Sequence, residues 1–256
     1  MNGISRSKLG FVLMALMTLL TCVVLAIQPP IAQPSEYHQF AGELRIFGVA
    51  NFWNVASNIA FSIFGCIGLY KLHISKSLTV LDGGRVAYSL LFFGVALVGL
   101  GSGYYHLSPD NSTLVWDRLP MTIAFMALFA IIISEYVSEH WGWRLLWPLL
   151  GLGASSVVYW HYTESQGQGD LRLYALIQFL PMLLIPIILL CFDSVYNKSS
   201  GYWYLLVAYI AAKLLEHFDS QVYAFLGVMS GHPLKHLAAA IGIYMLMYAY
   251  QRRVYR

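Results

Sequence analysis

Residues 86–106 read VAYSLLFFGVALVGLGSGYYH, an apolar run that ends in a serine, two tyrosines and a histidine. Its length is that of a membrane-spanning helix, which needs roughly 17–25 mainly apolar residues. Polar residues are costly to keep at membrane depth, so those at the end of the run are candidates for function. The stretch therefore predicts both a membrane helix and a chemical site at one end of it.

The whole chain has the composition of a membrane protein. Of its 256 residues, 59% are apolar and only 11% are charged, and the mean hydropathy is +0.63. A soluble domain carries about 25% charged residues. The net charge of +3, without any tract rich in Lys or Arg, argues against a nucleic-acid partner. We expect membrane lipids as partners, and the sequence leaves the oligomeric state open.

Eight segments are long and apolar enough to cross a bilayer, and only short connections separate them. They cover residues 9–27, 52–71, 86–106, 118–138, 143–161, 171–192, 202–218 and 233–250. The pattern predicts an all-α polytopic membrane protein. We interpret the first segment as a retained helix rather than a signal peptide, because its apolar run is long and no clear cleavage site follows it.

Basic residues in the short connections indicate the orientation. Lys71, Lys76, Arg85 and Lys198 fall on one side of the membrane when eight helices are threaded, together with the C-terminal arginines. Cytoplasmic loops carry the excess of Lys and Arg, so we predict that both termini are cytoplasmic. We expect a multi-pass protein of the plasma membrane, the inner membrane in a bacterium, whose polar clusters face the outer side.

Two of those polar clusters lie at neighbouring ends of the third and fourth spans. Ser102 and His106 are spaced i,i+4, so both project from one helix face. Glycines at 99, 101 and 103 allow a neighbouring helix or a substrate to approach closely. Asp117 is expected at a helix N-terminus, with Pro120 in the first turn of that helix.

The third cluster opens the last span with a pair of histidines. His232 and His236 repeat the i,i+4 spacing, which lets two imidazoles converge on one ion. With His106 they form a three-histidine set suited to Zn²⁺, which tolerates an open fourth position for water. Asp117 would then act as general base and acid, and Ser102 would hold the water or an oxyanion.

Plainer interpretations exist for the individual residues. A lone histidine at a helix end is typical of a membrane interface, and a serine in a membrane helix commonly bonds to its own backbone. Lys213 in the seventh span raises a retinal protein as an alternative, but an ion pair with Glu216 at i,i+3 is the simpler interpretation. We interpret His38 as a plain loop residue, and Asp219 as a residue that could flank the site.

Taken in order, these motifs resemble the alkaline ceramidases, which belong to the CREST superfamily of seven-helix membrane hydrolases. The sequence has Gly-Ser-x-x-x-His at 101–106, Asp-x-Leu-Pro-Met at 117–121 and His-x-x-x-His at 232–236. The stretch Asn-Phe-Trp-Asn-Val-Ala-Ser-Asn at 51–58 is similar to the family segment Glu-Phe-Trp-Asn-x-x-Ser-Asn. The resemblance covers roughly residues 40–250, and details of the motifs resemble the bacterial branch.

The resemblance implies both an architecture and a reaction. Residues 1–39 would form an N-terminal transmembrane helix and outer loop, and residues 40–256 a seven-helix ceramidase-like domain. Zinc held by His106, His232 and His236, with Asp117 and Ser102 as catalytic residues, would hydrolyse the amide of ceramide or a related N-acyl lipid. The alternative is a receptor-like or lipid-binding protein of the same superfamily with little catalytic activity.

The sequence departs from the family pattern at two places. Asn51 stands where the family has Glu, and the family's acidic calcium segment is not matched, which argues against Ca²⁺ as a second cofactor. Arg118 stands where the family motif has Glu. We consider two hypotheses for this arginine: it stabilises the charged form of Asp117, or it binds an anionic headgroup.

Overall fold

The computed structural model describes residues 5–256, and over that range the chain is predominantly helical. The helices are α1 (Arg6–Ile27), α2 (Phe52–Ala56), α3 (Ile59–His73), α4 (Arg85–Leu107), α5 (Asn111–Tyr136), α6 (Glu139–Ser165), α7 (Arg172–Cys191), α8 (Ser200–His217), α9 (Asp219–Leu226) and α10 (Gly231–Arg252). The predicted all-α class is confirmed. Residues 1–4 of the basic N-terminus lie outside the described range.

Each of the eight predicted spans corresponds to one long helix, with α2 and α3 together forming the second. Five of them are long and apolar enough to cross a membrane: α1, the α2–α3 pair, α4 with the turn before it, α5 and α7. Helices α6, α8 and α10 have similar lengths but carry more polar side chains. The chain is thus a multi-pass membrane protein, and the side on which its termini lie stays a prediction.

The helices of the bundle are arranged around a central cavity. Helix α4 packs between α3 and α5, α10 packs against α3 and α8, and α6 and α7 lie against α5. Helix α1 packs on the outside of α7, and most of its side chains are exposed. Residues 28–41, which we call the 28–41 segment, connect α1 to the bundle at the end where α4 stops and α10 begins.

Helix α5 begins earlier than the sequence suggested. The Asp110 carboxylate accepts hydrogen bonds from the backbone N–H groups of Ser112 and Thr113, both at 2.7 Å. The Thr113 hydroxyl accepts from the Asp110 backbone N–H at 3.1 Å, completing a capping box. The expectation that Asp117 marks the helix N-terminus and that Pro120 lies in its first turn was therefore wrong, since both lie inside α5.

Pro120 and Gly101 together produce a close approach of α4 and α5. Proline has no N–H, so Pro120 leaves the carbonyl of Trp116 without its helical donor. That carbonyl faces Gly101 so closely that a Cβ atom at Gly101 would lie 1.9 Å from the Trp116 oxygen. Ser102 and Asp117 are the next residues along the two helices, so this contact places them side by side.

The glycines of α4 have different surroundings. A Cβ atom at Gly99 would lie 2.1 Å from the Ser62 Oγ atom, so Gly99 allows α4 to approach α3 as Gly101 allows it to approach α5. At Gly103 no atom lies within 4 Å of the position a Cβ would take. The predicted role in close packing is confirmed for Gly99 and Gly101, but not for Gly103.

Substituting Gly101 by alanine should separate α4 from α5. The methyl group would collide with backbone rather than with a movable side chain, so we expect the free energy of unfolding to fall by about 1–3 kcal/mol. Gly103→Ala is the matched control, and it should be neutral or slightly stabilising. Thermal unfolding of both variants in detergent micelles measures the difference, and equal stability of the two would contradict the helix contact described above.

A buried ion pair holds the C-terminus at the opposite end of the bundle. Arg253 Nη2 lies 2.8 Å from Glu135 Oε1, and the two side chains are 1% and 0% exposed. The hydroxyls of Tyr88 and Tyr202 donate to the same carboxylate at 2.5 and 2.8 Å. The guanidinium also lies over the ring of Tyr196, 3.8 Å from its centroid. This end of the bundle is therefore fixed by a fully satisfied polar network.

Removing the cation from this network should be strongly destabilising. Arg253→Met leaves the Glu135 carboxylate buried without its charge partner, and we expect a loss of about 3–5 kcal/mol in unfolding free energy. Arg252→Met is the control, because Arg252 is the adjacent arginine and is exposed. The comparison uses the same unfolding measurement, and a similar small effect in both variants would show that the ion pair contributes little.

Candidate metal centre

Three buried histidines meet at the end of the bundle where α4 stops and α10 begins. His106 lies in the last turn of α4, and His232 and His236 lie in the first turns of α10. One ring nitrogen from each lies within 4.8 Å of the others, and the Nε2 atoms of His106 and His232 are 3.3 Å apart. Tetrahedral zinc with Zn–N bonds of about 2.0–2.1 Å separates its ligand nitrogens by about 3.3–3.4 Å. This group could hold a metal ion.

Ser57 orients the third imidazole. Its hydroxyl donates to the Asn54 carbonyl at 3.2 Å and lies 2.8 Å from His236 Nδ1. The hydroxyl oxygen can accept from His236 Nδ1–H while its own proton goes to Asn54, and this arrangement leaves the lone pair of His236 Nε2 free for a metal. The motif at 51–58 contains Ser57, but no sequence pattern connects it with His236, which lies 179 residues farther along the chain.

Two further side chains hold the helix ends that carry the histidines. Asp219, the first residue of α9, accepts from the backbone N–H of His232 at 2.6 Å and from that of Ala41 at 3.0 Å. Asn51 donates from its side-chain amide to the carbonyl of His106 at 3.0 Å. Asp219 therefore flanks the site as expected. Asn51, the departure from the family pattern, supports the end of α4.

The 28–41 segment lies against the histidine cluster. The ring of Phe40 packs edge-on against His106 and His232, with centroid distances of 4.8 and 4.5 Å. His38 hydrogen-bonds through one ring nitrogen to the Tyr105 hydroxyl and through the other to the Asn111 side chain, at 3.0 and 2.9 Å. The interpretation of His38 as a plain loop residue was wrong, because both of its ring nitrogens bind the bundle.

The same segment is fixed to the loop between α6 and α7. The backbone N–H of Leu171 donates to the Ile31 carbonyl at 2.8 Å, and Arg172 donates to the Gln28 carbonyl at 2.7 Å. Arg172 also forms a two-pronged ion pair with Asp170. These hydrogen bonds from Arg172 lower the pKa of Asp170 to about 2, so the pair stays charged throughout the ordinary pH range.

Ser102 and Asp117 lie together on the wall of a cavity of about 360 Å³ inside the bundle. Each residue follows directly after the Gly101–Trp116 contact, so the two line the cavity from neighbouring helices. His236 contributes to the same wall, whereas His106 and His232 are not among the residues that line it. From this polar end the cavity extends between mainly apolar side chains as far as Tyr202 near the opposite end of the bundle.

A charged network lies beside the cluster, on the same cavity wall. Lys213 Nζ lies 2.6 Å from Glu216 Oε2, which confirms the predicted i,i+3 ion pair. Lys235, the residue before His236, forms a second ion pair with the other oxygen of Glu216. One carboxylate thus serves two lysines, and both lysines have a partner of opposite charge.

Fold and site together define a multi-pass membrane protein with a buried three-histidine group above an apolar cavity. Comparison with known families identifies the family: the sequence matches the profile of the ceramidase family over residues 46–254. The match covers most of the chain, and the chain belongs to this family of amide hydrolases. No curated protein matches it. The assignment to the bacterial branch and the division at residue 40 stay predictions.

If the three imidazoles bind metal, the Ser57 contact should tune their affinity. Ser57→Ala removes the acceptor of His236 Nδ1–H, and loss of such a support typically weakens metal binding 10–100-fold. Ser62→Ala is the control, because Ser62 bonds instead to the Ala96 carbonyl at 3.1 Å. Titration of purified protein with zinc against a competing chelator measures the affinities. Equal zinc affinity in the Ser57→Ala variant and in the unsubstituted protein would refute this role.

Proposed function

We propose that this protein is a zinc-dependent hydrolase that cleaves the amide bond of ceramide or a related N-acyl lipid within the membrane. The observation that carries the proposal is the meeting of three buried imidazoles, a serine and an aspartate at one end of a largely apolar cavity. The family supplies the reaction class, because its members hydrolyse amides. Zinc, the catalytic roles and the lipid class are proposals.

The donor set favours zinc over the other common metals. Three neutral imidazoles would fill three of the four coordination positions of zinc and leave the fourth open for water. Hard cations such as Ca²⁺ and Mg²⁺ prefer oxygen ligands instead. A zinc ion held by His106, His232 and His236 would supply Lewis-acid activation of water and of the amide carbonyl. The 3.3 Å separation of two ring nitrogens supports this assignment.

Asp117 and Ser102 are the residues that would move and hold protons. Amide hydrolysis needs a base that takes a proton from water and an acid that returns one to the leaving amine. The Asp117 carboxylate lines the cavity beside the cluster, so we assign both tasks to it. The Ser102 hydroxyl would orient this carboxylate and donate to the oxygen on which negative charge develops.

The cavity suits a lipid substrate. Its volume of about 360 Å³ lies in the range typical of small-molecule sites, and beyond the polar end its walls are mainly apolar. An acyl chain can occupy this part while its amide group lies beside Asp117. Burial of the chain would contribute binding energy, and the reacting groups at the polar end would fix its position.

The gap between α7 and α8 is our proposed path for the lipid. Both helices line the cavity, yet they are not packed against each other as the other neighbouring helices are. Across this gap Lys213 of α8 lies over the ring of Phe179 of α7, 5.9 Å from its centroid, and both side chains are partly exposed. A lipid could therefore enter sideways from the bilayer.

The proposed activity can be tested with a panel of ceramides and other N-acyl lipids. Purified protein should release fatty acid from at least one of them, and Asp117→Asn should lower the rate by about 10²–10⁴-fold, the usual contribution of general acid–base catalysis. Asp193→Asn is the control, because the Asp193 side chain is 82% exposed and the residue follows α7, far in sequence from the cavity residues of α5.

The outcomes separate the parts of the proposal. If purified protein holds no zinc and His232→Ala changes nothing, the metal mechanism is wrong. If Asp117→Asn hydrolyses the lipid at the full rate, the base is another residue. Zinc binding without release of fatty acid from any lipid would favour the receptor-like alternative.

A further inference from the structure

Arg118 is a buried cation without a carboxylate partner. The residue is 5% exposed, and among residues 5–256 no Asp or Glu oxygen lies within ion-pair distance of its guanidinium. Asp117 is its neighbour in the chain, but it also makes no ion pair with it. A charge removed from water is costly unless a counter-charge or hydrogen bonds replace the lost hydration.

Aromatic rings and one amide hold this guanidinium in place. Its Cζ atom lies 4.1 Å from the ring centroid of Trp160 and 4.6 Å from that of Tyr174, with Tyr37 farther away at 5.7 Å. Nη2 donates to the side-chain oxygen of Gln33 at 2.5 Å. Nη1 is buried, and within the described part of the chain it has no hydrogen-bond partner. The arrangement fixes the plane of the guanidinium but satisfies only part of its donors.

The charges on the cavity wall show that Arg118 lacks a counter-charge there. The wall carries three cations, namely Arg118, Lys213 and Lys235, and two carboxylates. Glu216 forms ion pairs with both lysines. Asp117 lies within ion-pair distance of none of the three cations. The positive charge of Arg118 is thus the one on this wall that no carboxylate pairs with.

We propose that Arg118 binds an anionic oxygen on the headgroup of the substrate, so that this protein prefers acidic N-acyl lipids, such as N-acyl amino acids, to neutral ceramide. The inference rests on the proposed hydrolase function and names its substrate class. A guanidinium binds a carboxylate or a phosphate with parallel hydrogen bonds. The Arg118 guanidinium contacts Gln33 of the 28–41 segment at the polar end of the cavity, so we place the bound anion on the headgroup side of the amide rather than along the acyl chain.

Access to Nη1 requires one neighbour to move. Tyr37 lines the cavity, is 39% exposed and belongs to the 28–41 segment. Trp160 is fully buried and Tyr174 nearly so. A rotation of Tyr37 would uncover the guanidinium while the two buried rings continue to hold it. The family match begins only at residue 46, so Gln33 and Tyr37, which contact Arg118, lie outside the matched part of the chain.

The test compares two pairs of lipids in which a carboxylate on the headgroup of one member is replaced by a neutral hydroxymethyl group in the other. Hydrolysis is measured with N-palmitoyl glycine and N-palmitoyl ethanolamine. Binding is measured with their hexadecanesulfonyl analogues, whose sulfonamide bond resists hydrolysis. We expect the acidic member to be favoured about tenfold or more in both measurements, the order of magnitude of one charge-assisted contact.

Three variants identify the residue responsible. Arg118→Gln should abolish the preference, because the acidic lipid loses its charge partner, and the readout is the ratio between the acidic and the neutral lipid. Gln33→Glu places a carboxylate beside Arg118 Nη2. It should also abolish the preference for the acidic lipid, while the guanidinium and its aromatic contacts remain. Arg144→Gln, which removes an exposed cation of α6, should retain the preference. A preference that survives both Arg118→Gln and Gln33→Glu would overturn the inference.

Two further outcomes are distinguishable. If palmitate competes for binding in an Arg118-dependent way but the two sulfonamides bind equally, Arg118 holds the released fatty acid, and the headgroup assignment is wrong. If neither of these amides nor any lipid of the panel described above is hydrolysed, but the acidic sulfonamide still binds in an Arg118-dependent way, the hydrolase proposal fails and the anion site stands.

Discussion

The close approach of α4 to α5 at Gly101 is the constraint on which the polar site depends. Helices in lipid gain little from burying apolar surface against each other, so small residues that permit close contact decide where they meet. Here a proline frees the Trp116 carbonyl and a glycine leaves room for it. The same contact brings Ser102 next to Asp117, and one turn later α4 delivers His106 to the start of α10. The contact between α4 and α5 thus determines both how the helices pack and where the site residues lie.

The remaining parts of the site come from segments distant in the chain. Ser57 at the junction of α2 and α3 orients His236, and Asp219 at the start of α9 holds the backbone of His232. Phe40 covers the cluster from a segment that the family match does not include. Each contact satisfies a polar group or excludes water where lipid offers no hydrogen bonds. A metal in this setting would have a defined orientation of its ligands and a nearly dry surrounding.

The sequence was sufficient for the fold class and for the helices, because long apolar runs have few alternatives in a membrane. The i,i+4 spacing of His232 and His236 also predicted a shared face. The start of α5 was predicted too late because Asp117 and Pro120 have the spacing of an N-cap and a first-turn proline, whereas the helix is capped by Asp110 and Thr113. The contacts of Ser57, His38 and Phe40 could not have been predicted, since each joins residues far apart in sequence and leaves no local pattern. The surroundings of Arg118 likewise depend on rings from three different segments.

The Glu135–Arg253 pair has a consequence for transport across the membrane. Tyr202, which donates to Glu135, also forms the floor of the cavity. Beyond Tyr202 the salt bridge and its tyrosines fill the bundle, so the cavity is closed at this end. Substrate and products would therefore use the same opening, the proposed gap between α7 and α8. A lipid could therefore be hydrolysed in this cavity without a continuous path through the bundle from one face of the membrane to the other.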